Sequence, residues 1–199
     1  KSSANIIAIT GSAGKTSLKN LLGQLLKKFG ETYLEEEKEW ISSRISDLVN
    51  NQDKVIDIGC GTGLVGKFLQ NKGYLYYDGL DISEEMLEIA KSRGYRHLSV
   101  GSLQNKLPYE DNAYDAVFCV GVFTHGHVNS NGLDELIRIV KKDGFIIFTI
   151  NEGVYEDYQF DKKIPLMEKE GLIKVINLEK KEYMTKKNVM GYYCLAQKV

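Results

Sequence analysis

Val55-Ile56-Asp57-Ile58-Gly59-Cys60-Gly61-Thr62-Gly63 is the stretch on which the fold turns. Val55 to Ile58 reads as a buried parallel strand, because a short, mostly apolar run bounded by turn residues offers no polar face to solvent. Three glycines at alternate positions follow, and Leu64-Val65-Gly66-Lys67-Phe68-Leu69 then begins a helix. Glycine at a strand-to-helix turn admits positive φ and lets a ligand approach the backbone. The next apolar run, Tyr76 to Leu80, closes on Asp81. That acid follows the turn by about 20 residues, the distance at which a carboxylate can grip ribose hydroxyls.

The spacing is not that of the dinucleotide fingerprint, which has two residues between the second and third glycines; here there is one. An acid, Asp57, also sits inside the strand. Asp-x-Gly-x-Gly-x-Gly with a later Asp resembles motif I of the class I S-adenosylmethionine-dependent methyltransferases. The resemblance implies S-adenosylmethionine as cofactor and S-adenosylhomocysteine as product. It implies that Asp57, Gly59, Cys60, Gly61 and Gly63 hold the methionine end and Asp81 the ribose. Ile82, Met86, Ser102 and Leu103 would line the adenine, with Val120 and Gly121 near the cofactor's amino group. Most members carry an acid for the adenine amino group where this chain has Ser102, which can accept a hydrogen bond but carries no charge.

Length and composition bound the alternatives. The chain of 199 residues fits one domain with a short extension. Its formal net charge of −1, with no basic block, argues against a nucleic-acid polyelectrolyte as partner. No run is long and apolar enough to span a bilayer, and no signal peptide is visible, so a cytoplasmic location is expected. Cys60, Cys119 and Cys194 lack metal-ligand spacing and each adjoins an apolar run, so they read as buried reduced thiols and no metal is expected.

Residues 1–33 read as a separate piece. Asn5 to Thr10 is a plausible strand, Gly11-Ser12-Ala13-Gly14-Lys15-Thr16 follows, and Leu18, Leu21, Leu22, Leu25, Leu26 and Phe29 recur at helical spacing. Such a loop can cradle phosphate with backbone N–H groups and a lysine. It resembles the ATP loop of the Mur ligases, but no other part of a Mur ligase is present. An amphipathic helix covering the rest of the chain is the simpler reading, and a nucleotide-binding module the alternative. Residues 34–199 form the main domain. A helix is expected from Glu35 to Val49, before a polar linker at Asn50–Asp53.

Further on, Ser83 reads as an N-cap, His97 to Val100 as a strand, and Tyr114 to Val120 as a central strand. Gly121 to Val128 follows that strand's carboxyl end, where ligands bind in open parallel sheets. His125 and His127 lie there as candidate base or orienting groups. A helix is expected at Leu133–Val140, stopped by Lys141-Lys142-Asp143-Gly144, and then a strand at Phe145–Ile150. Asn151, Glu152 and Tyr155 follow on the same ligand edge, Glu152 as a catalytic candidate and Asn151 and Tyr155 as substrate contacts. A helix from Phe160 to Glu170, broken or started at Pro165, precedes strands at Ile173–Leu178 and Gly191–Ala196 that bracket an excursion at Tyr183-Met184.

Beyond motif I, Tyr114-Asp115-Ala116-Val117, Gly121 to Val128, Leu133 to Arg138 and Phe148 to Glu156 resemble a methyltransferase-like family first noted in the Williams–Beuren syndrome region. That family carries a tyrosine-rich N-terminal cap, which makes Tyr33 a substrate-site candidate. The resemblance implies a Rossmann-like α/β fold: a mostly parallel seven-stranded sheet with an antiparallel last strand and helices on both faces. Methyl transfer to a small-molecule acceptor by a monomer or homodimer is the expected function. The alternatives are ATP binding through residues 11–16, or a protein that binds the cofactor without turning it over.

Overall fold

The computed structural model describes residues 48–184 and 189–199. The loop at Gly11–Thr16, the helix proposed for 35–49 apart from its last two residues, and Tyr33 lie outside the described residues. Strand β1 (Val55–Ile58) is buried throughout. It lies between two parallel neighbours, β2 (Tyr77–Asp81) and β4 (Tyr114–Phe123). Strand β3 (Leu98–Val100) extends one side, and β5 (Val140–Asn151), β7 (Val189–Lys198) and β6 (Ile173–Met184) the other, for the order 3-2-1-4-5-7-6. Only β7 runs against its neighbours, β5 and β6. The expected mixed sheet is the one observed.

Alternation along the strands builds two cores. Ile56, Ile58, Val117, Cys119, Ile146, Phe148, Cys194 and Ala196 face one side. There they meet Leu133, Leu136 and Ile139 of α3 (Gly132–Ile139), Val154 of α4 (Glu152–Tyr155) and Phe160, Ile164 and Met167 of α5 (Phe160–Lys169). Val55, Ala116, Phe118, Val120, Ile147, Tyr193 and Leu195 face the other side, with Val65 and Leu69 of α1 (Leu64–Asn71). This is the period of two expected of strands covered on both faces. Helix α2 (Glu84–Ala90) links β2 to a 3₁₀ turn at Lys91–Arg93, and its cap is as expected: Ser83 Oγ accepts from Met86 N at 3.3 Å.

Several boundaries move. Helix α3 stops at Ile139 and β5 begins at once, with the left-handed residue at Asp143 (φ 63°), not at the glycine after it. The cation on the helix's last carbonyls comes from the far end of the chain. Lys198 Nζ donates to Ile137 O at 2.8 Å and Val140 O at 2.9 Å, while Lys141 pairs with Asp115. Helix α5 runs through Pro165. The last strands are longer than expected: β6 and β7 pair from Ile173↔Lys198 to Met184↔Val189, with register shifts between Val175 and Asn177 and, at the expected excursion, between Glu182 and Met184.

Arg138 organises the loop after β3. Its guanidinium donates to Leu107 O (3.1 Å), Tyr109 O (2.7 Å), Asp111 Oδ1 (2.8 Å) and both oxygens of Glu135 (2.8 and 2.7 Å). Glu135 in turn accepts from Leu107 N at 2.7 Å. A rigid planar fork suits such convergence and an ammonium does not. Arg138→Lys keeps the charge and loses the fork, and should lower stability by about 1–3 kcal/mol in urea unfolding.

Candidate cofactor and acceptor site

The glycine turn is shaped from below and left open above. Gly59 has φ 74°, and a Cβ there would collide with Val122 Cγ2. Gly61 has φ 52°, and a Cβ there would meet nothing within 4 Å. The turn is stitched to β2: Gly59 N and Cys60 N donate to Leu80 O at 2.7 and 3.0 Å. Asp81 completes the stitch, its Oδ2 accepting from Gly61 N at 2.8 Å and its Oδ1 from Ser83 N at 3.0 Å. A carboxylate has about four lone-pair sites, so both oxygens can still accept from a ligand.

Beside Asp81 the edge is apolar. Ile82 is 64% exposed and Val100, paired with Asp81 across the β2–β3 ladder, 53%. Met86 and Ser102 are half-buried, and Ser102 Oγ accepts from Gln104 N at 3.2 Å. Leu103 is buried in the core against Val128 and Gly132, and it also lines a cleft with His127. On the other side of the turn Val120 is buried, and Gly121 N donates to Thr149 Oγ1 at 2.9 Å. That bond sits at a register shift between Cys119 and Phe123, an irregularity that re-aims the end of β4.

Asp57 is 1% exposed and points inward. Its Oδ2 accepts from the Tyr95 hydroxyl at 2.5 Å, and that hydroxyl accepts from Gly66 N at 3.0 Å. Burial, with Asp81 nearby, pushes the Asp57 carboxyl up to about 7, against the opposing pull of Tyr95. Cys60, Cys119 and Cys194 are buried, with thiols raised by burial first. Among the described residues no cluster of metal ligands occurs.

The candidates for the acceptor side divide. His125 is exposed and lies against Gly153, where a Cβ would collide with its Nε2 and stand 3.2 Å from Asn151 Oδ1. Asn151 caps α4 through Gly153 N at 2.9 Å. His127 instead lines a cleft of about 680 Å³ with Gln104, Lys106, Asn131 and Glu135, so the two histidines diverge. Glu152 is committed elsewhere. The Met190 N–H and the Lys180 ammonium hold its carboxyl below the usual range, at 2.9 Å each. Tyr155 stacks on Tyr192 (centroids 3.7 Å, planes 14° apart), and Tyr158 Oη accepts from Gly126 N at 3.0 Å, tying the histidine loop to the turn after α4.

Comparison with known proteins identifies this arrangement. Residues 56–148 match the family described as a methyltransferase domain. That match and the methyltransferase-named relatives support a class I S-adenosylmethionine-dependent methyltransferase domain. Human methyltransferase-like protein 27 is 39% identical over 97 residues, 48% of this chain and 39% of that protein. An uncharacterized protein of Methanocaldococcus jannaschii is 34% identical over 142 residues, 68% of this chain and 52% of that one. The chain thus spans about half, or less, of the length of these relatives. Other relatives bear names with different acceptors. A glycine/sarcosine/dimethylglycine N-methyltransferase of Actinopolyspora halophila is 30% identical over 108 residues, covering 51% of this chain and 19% of that protein. A tRNA (carboxymethyluridine(34)-5-O)-methyltransferase of Arabidopsis thaliana is 29% identical over 106 residues, covering 52% and 25%. A solved structure titled a putative sarcosine dimethylglycine methyltransferase from Galdieria sulphuraria shares the fold. Its TM-score is 0.66 at 15% identity, covering 81% of this chain and 85% of that one.

The residues around the glycine turn fit the cofactor of that family. The open space over Gly61 would be filled by a Cβ, Asp81 stands at its rim, and Ile82 and Val100 expose apolar surface beside it. Sequence reading misses Tyr95 and Val122, which act on the turn, and Thr149, which acts on the end of β4, because each acts from a different element. The glycines at 63, 66 and 79, all close to the Tyr95 ring, were the one signal available. Gly61→Ala separates fold from binding. Alanine at positive φ costs about 1–2 kcal/mol, so the variant should stay folded by circular dichroism while S-adenosylhomocysteine affinity in calorimetry falls about ten-fold or more.

Proposed function

We propose that this chain transfers a methyl group from S-adenosylmethionine to a small-molecule acceptor. The observation that carries the reading is the clasp of Asp81 on Gly61 at the rim of an open glycine turn. The cofactor supplies an activated methyl; the chain supplies position and exclusion of water. In this reading Asp81 holds the ribose on its remaining lone pairs, and Ile82 and Val100 flank the adenine with Met86 and Ser102 beside them. Leu103, buried in the core, supports that pocket from behind. Gly59, Cys60, Gly61 and Gly63 hold the methionine end, Asp57 sets the charge beneath it, and Val120 and Gly121 close the far side.

The acceptor meets His125, Asn151 and Tyr155. His125 and Asn151 are adjacent, and Tyr155 is made rigid by its stack on Tyr192. His127 faces the polar cleft and orients the distal part of the acceptor. Glu152 braces the edge through Lys180 and Met190 and leaves proton transfer to His125. A small acceptor is supported by the absence of a basic block and by the relative named as an N-methyltransferase. The relatives named for tRNA favour a second reading, an RNA acceptor, and near-neutral net charge does not exclude it. No helix among the described residues is long and apolar enough to cross a membrane, and a cytoplasmic enzyme is the reading we propose.

Calorimetry should show S-adenosylhomocysteine binding that Asp81→Ala weakens by about ten-fold or more, a loss of over 1.4 kcal/mol. No heat at high micromolar ligand ends the proposal. Turnover of labelled cofactor over small amines, thiols and carboxylates, with tRNA as a parallel arm, decides the acceptor class; cofactor binding without turnover in every arm would mark a non-catalytic member. Once an acceptor is found, His125→Gln should lower kcat about ten-fold with cofactor affinity intact. Glu152→Gln should chiefly destabilise the fold.

A further inference from the structure

One side chain packs where the end of the glycine turn, α1 and β2 meet. The Tyr95 ring fills space that three glycines leave free. A Cβ at Gly63 would stand 2.8 Å from Tyr95 Cε2, one at Gly79 2.9 Å from Cδ1 and Cε1, and one at Gly66 would collide with the ring. Those glycines come from the turn, from α1 and from β2. The ring is held edge-on against Tyr77, centroids 5.2 Å apart. At its tip the hydroxyl makes two bonds of opposite sense. It accepts from Gly66 N, in the first turn of α1, and donates to the buried carboxylate of Asp57.

We propose that Tyr95 is a positioning residue for the cofactor: its hydroxyl fixes the start of α1 to Asp57 and keeps that carboxylate available in ionised form under the cofactor's methionine end. This rests on the site reading above. A carboxylate at 1% exposure is poorly solvated, and a charge-assisted hydrogen bond is the compensation a buried anion needs. The groups that face Asp57 otherwise oppose its ionisation or leave it unaided. Asp81, on β2, repels it; the thiols of Cys60, in the turn, and Cys119, on β4, are held protonated by burial. The stem of Arg93, from the 3₁₀ turn, packs at Gly63. The methionine end carries an ammonium, so ligand binding favours the ionised carboxylate, and affinity should rise with pH through about 7.

The sign for the free protein is opposite. The unfolded carboxyl ionises near 3.8 and the folded one near 7. Between them the folded state holds the extra proton, so Asp57's contribution to stability is full below 3.8 and is lost as pH rises through about 7.

The test compares wild type with Tyr95→Phe, which keeps the ring and removes the hydroxyl. S-adenosylhomocysteine affinity is measured by calorimetry from pH 6 to 9, and the Asp57 carboxyl is titrated by carbon NMR without ligand. The variant should bind about ten-fold more weakly at pH 7, with the Asp57 midpoint raised by about one unit, the size of effect such a hydrogen bond carries. Asp57→Asn should flatten the pH dependence. Equal affinity and an unmoved midpoint in Tyr95→Phe overturn the proposal while leaving the site reading in place; absence of binding by wild type at any pH overturns both. If Tyr95→Phe does not fold, the Tyr95 Cζ shift in wild type decides. An inflection at the Asp57 midpoint is expected, and its absence overturns the coupling.

Discussion

A four-residue strand with both faces buried imposes most of this structure. Val55–Ile58 cannot meet water on either side, so each face needs a layer of side chains and each edge a hydrogen-bonded neighbour. The two cores answer the first need, β2 and β4 the second. The chain leaves β1 for β2 on one side and later returns to β4 on the other. That reversal opens a crevice at the carboxyl ends of β1 and β4, and the glycine turn lies in it.

The crevice is held by polar bonds that run between elements. Asp81 reaches from β2 to Gly61, Thr149 from β5 to Gly121, and Tyr95 from the loop before β3 to α1 and Asp57. Each satisfies a backbone N–H that a sharp turn or a strand end would otherwise leave unpaired. The site's rigidity therefore comes from the flanking strands more than from the turn's own residues. Farther out, Arg138 and Lys198 anchor the loop and helix that frame the cleft beside His127.

The candidate acceptor side shows a division of labour among similar residue types. His125 and His127 are two residues apart, yet one lies against Gly153 and the other faces the cleft, because the intervening Gly126 is left-handed and pinned by Tyr158. Glu152 and Asn151 are neighbours, yet one is spent on Lys180 and Met190 while the other caps a helix beside His125.

Local sequence by itself determined the strand at 55–58, the glycine turn, the acid at 81, the cap at Ser83 and the order of the elements. These follow from runs, periods and turn residues that act within a few positions of one another. Tertiary structure alone decided that Tyr95 bonds Asp57, that Leu103 packs into the core, that Lys198 and not Lys141 caps α3, and that β6 and β7 pair over so long a span. The physical reason is the same in each case. A side chain's partner is set by distance in space, and Asp57 with Tyr95, or Ile137 with Lys198, are separated by 38 and 61 residues along the chain.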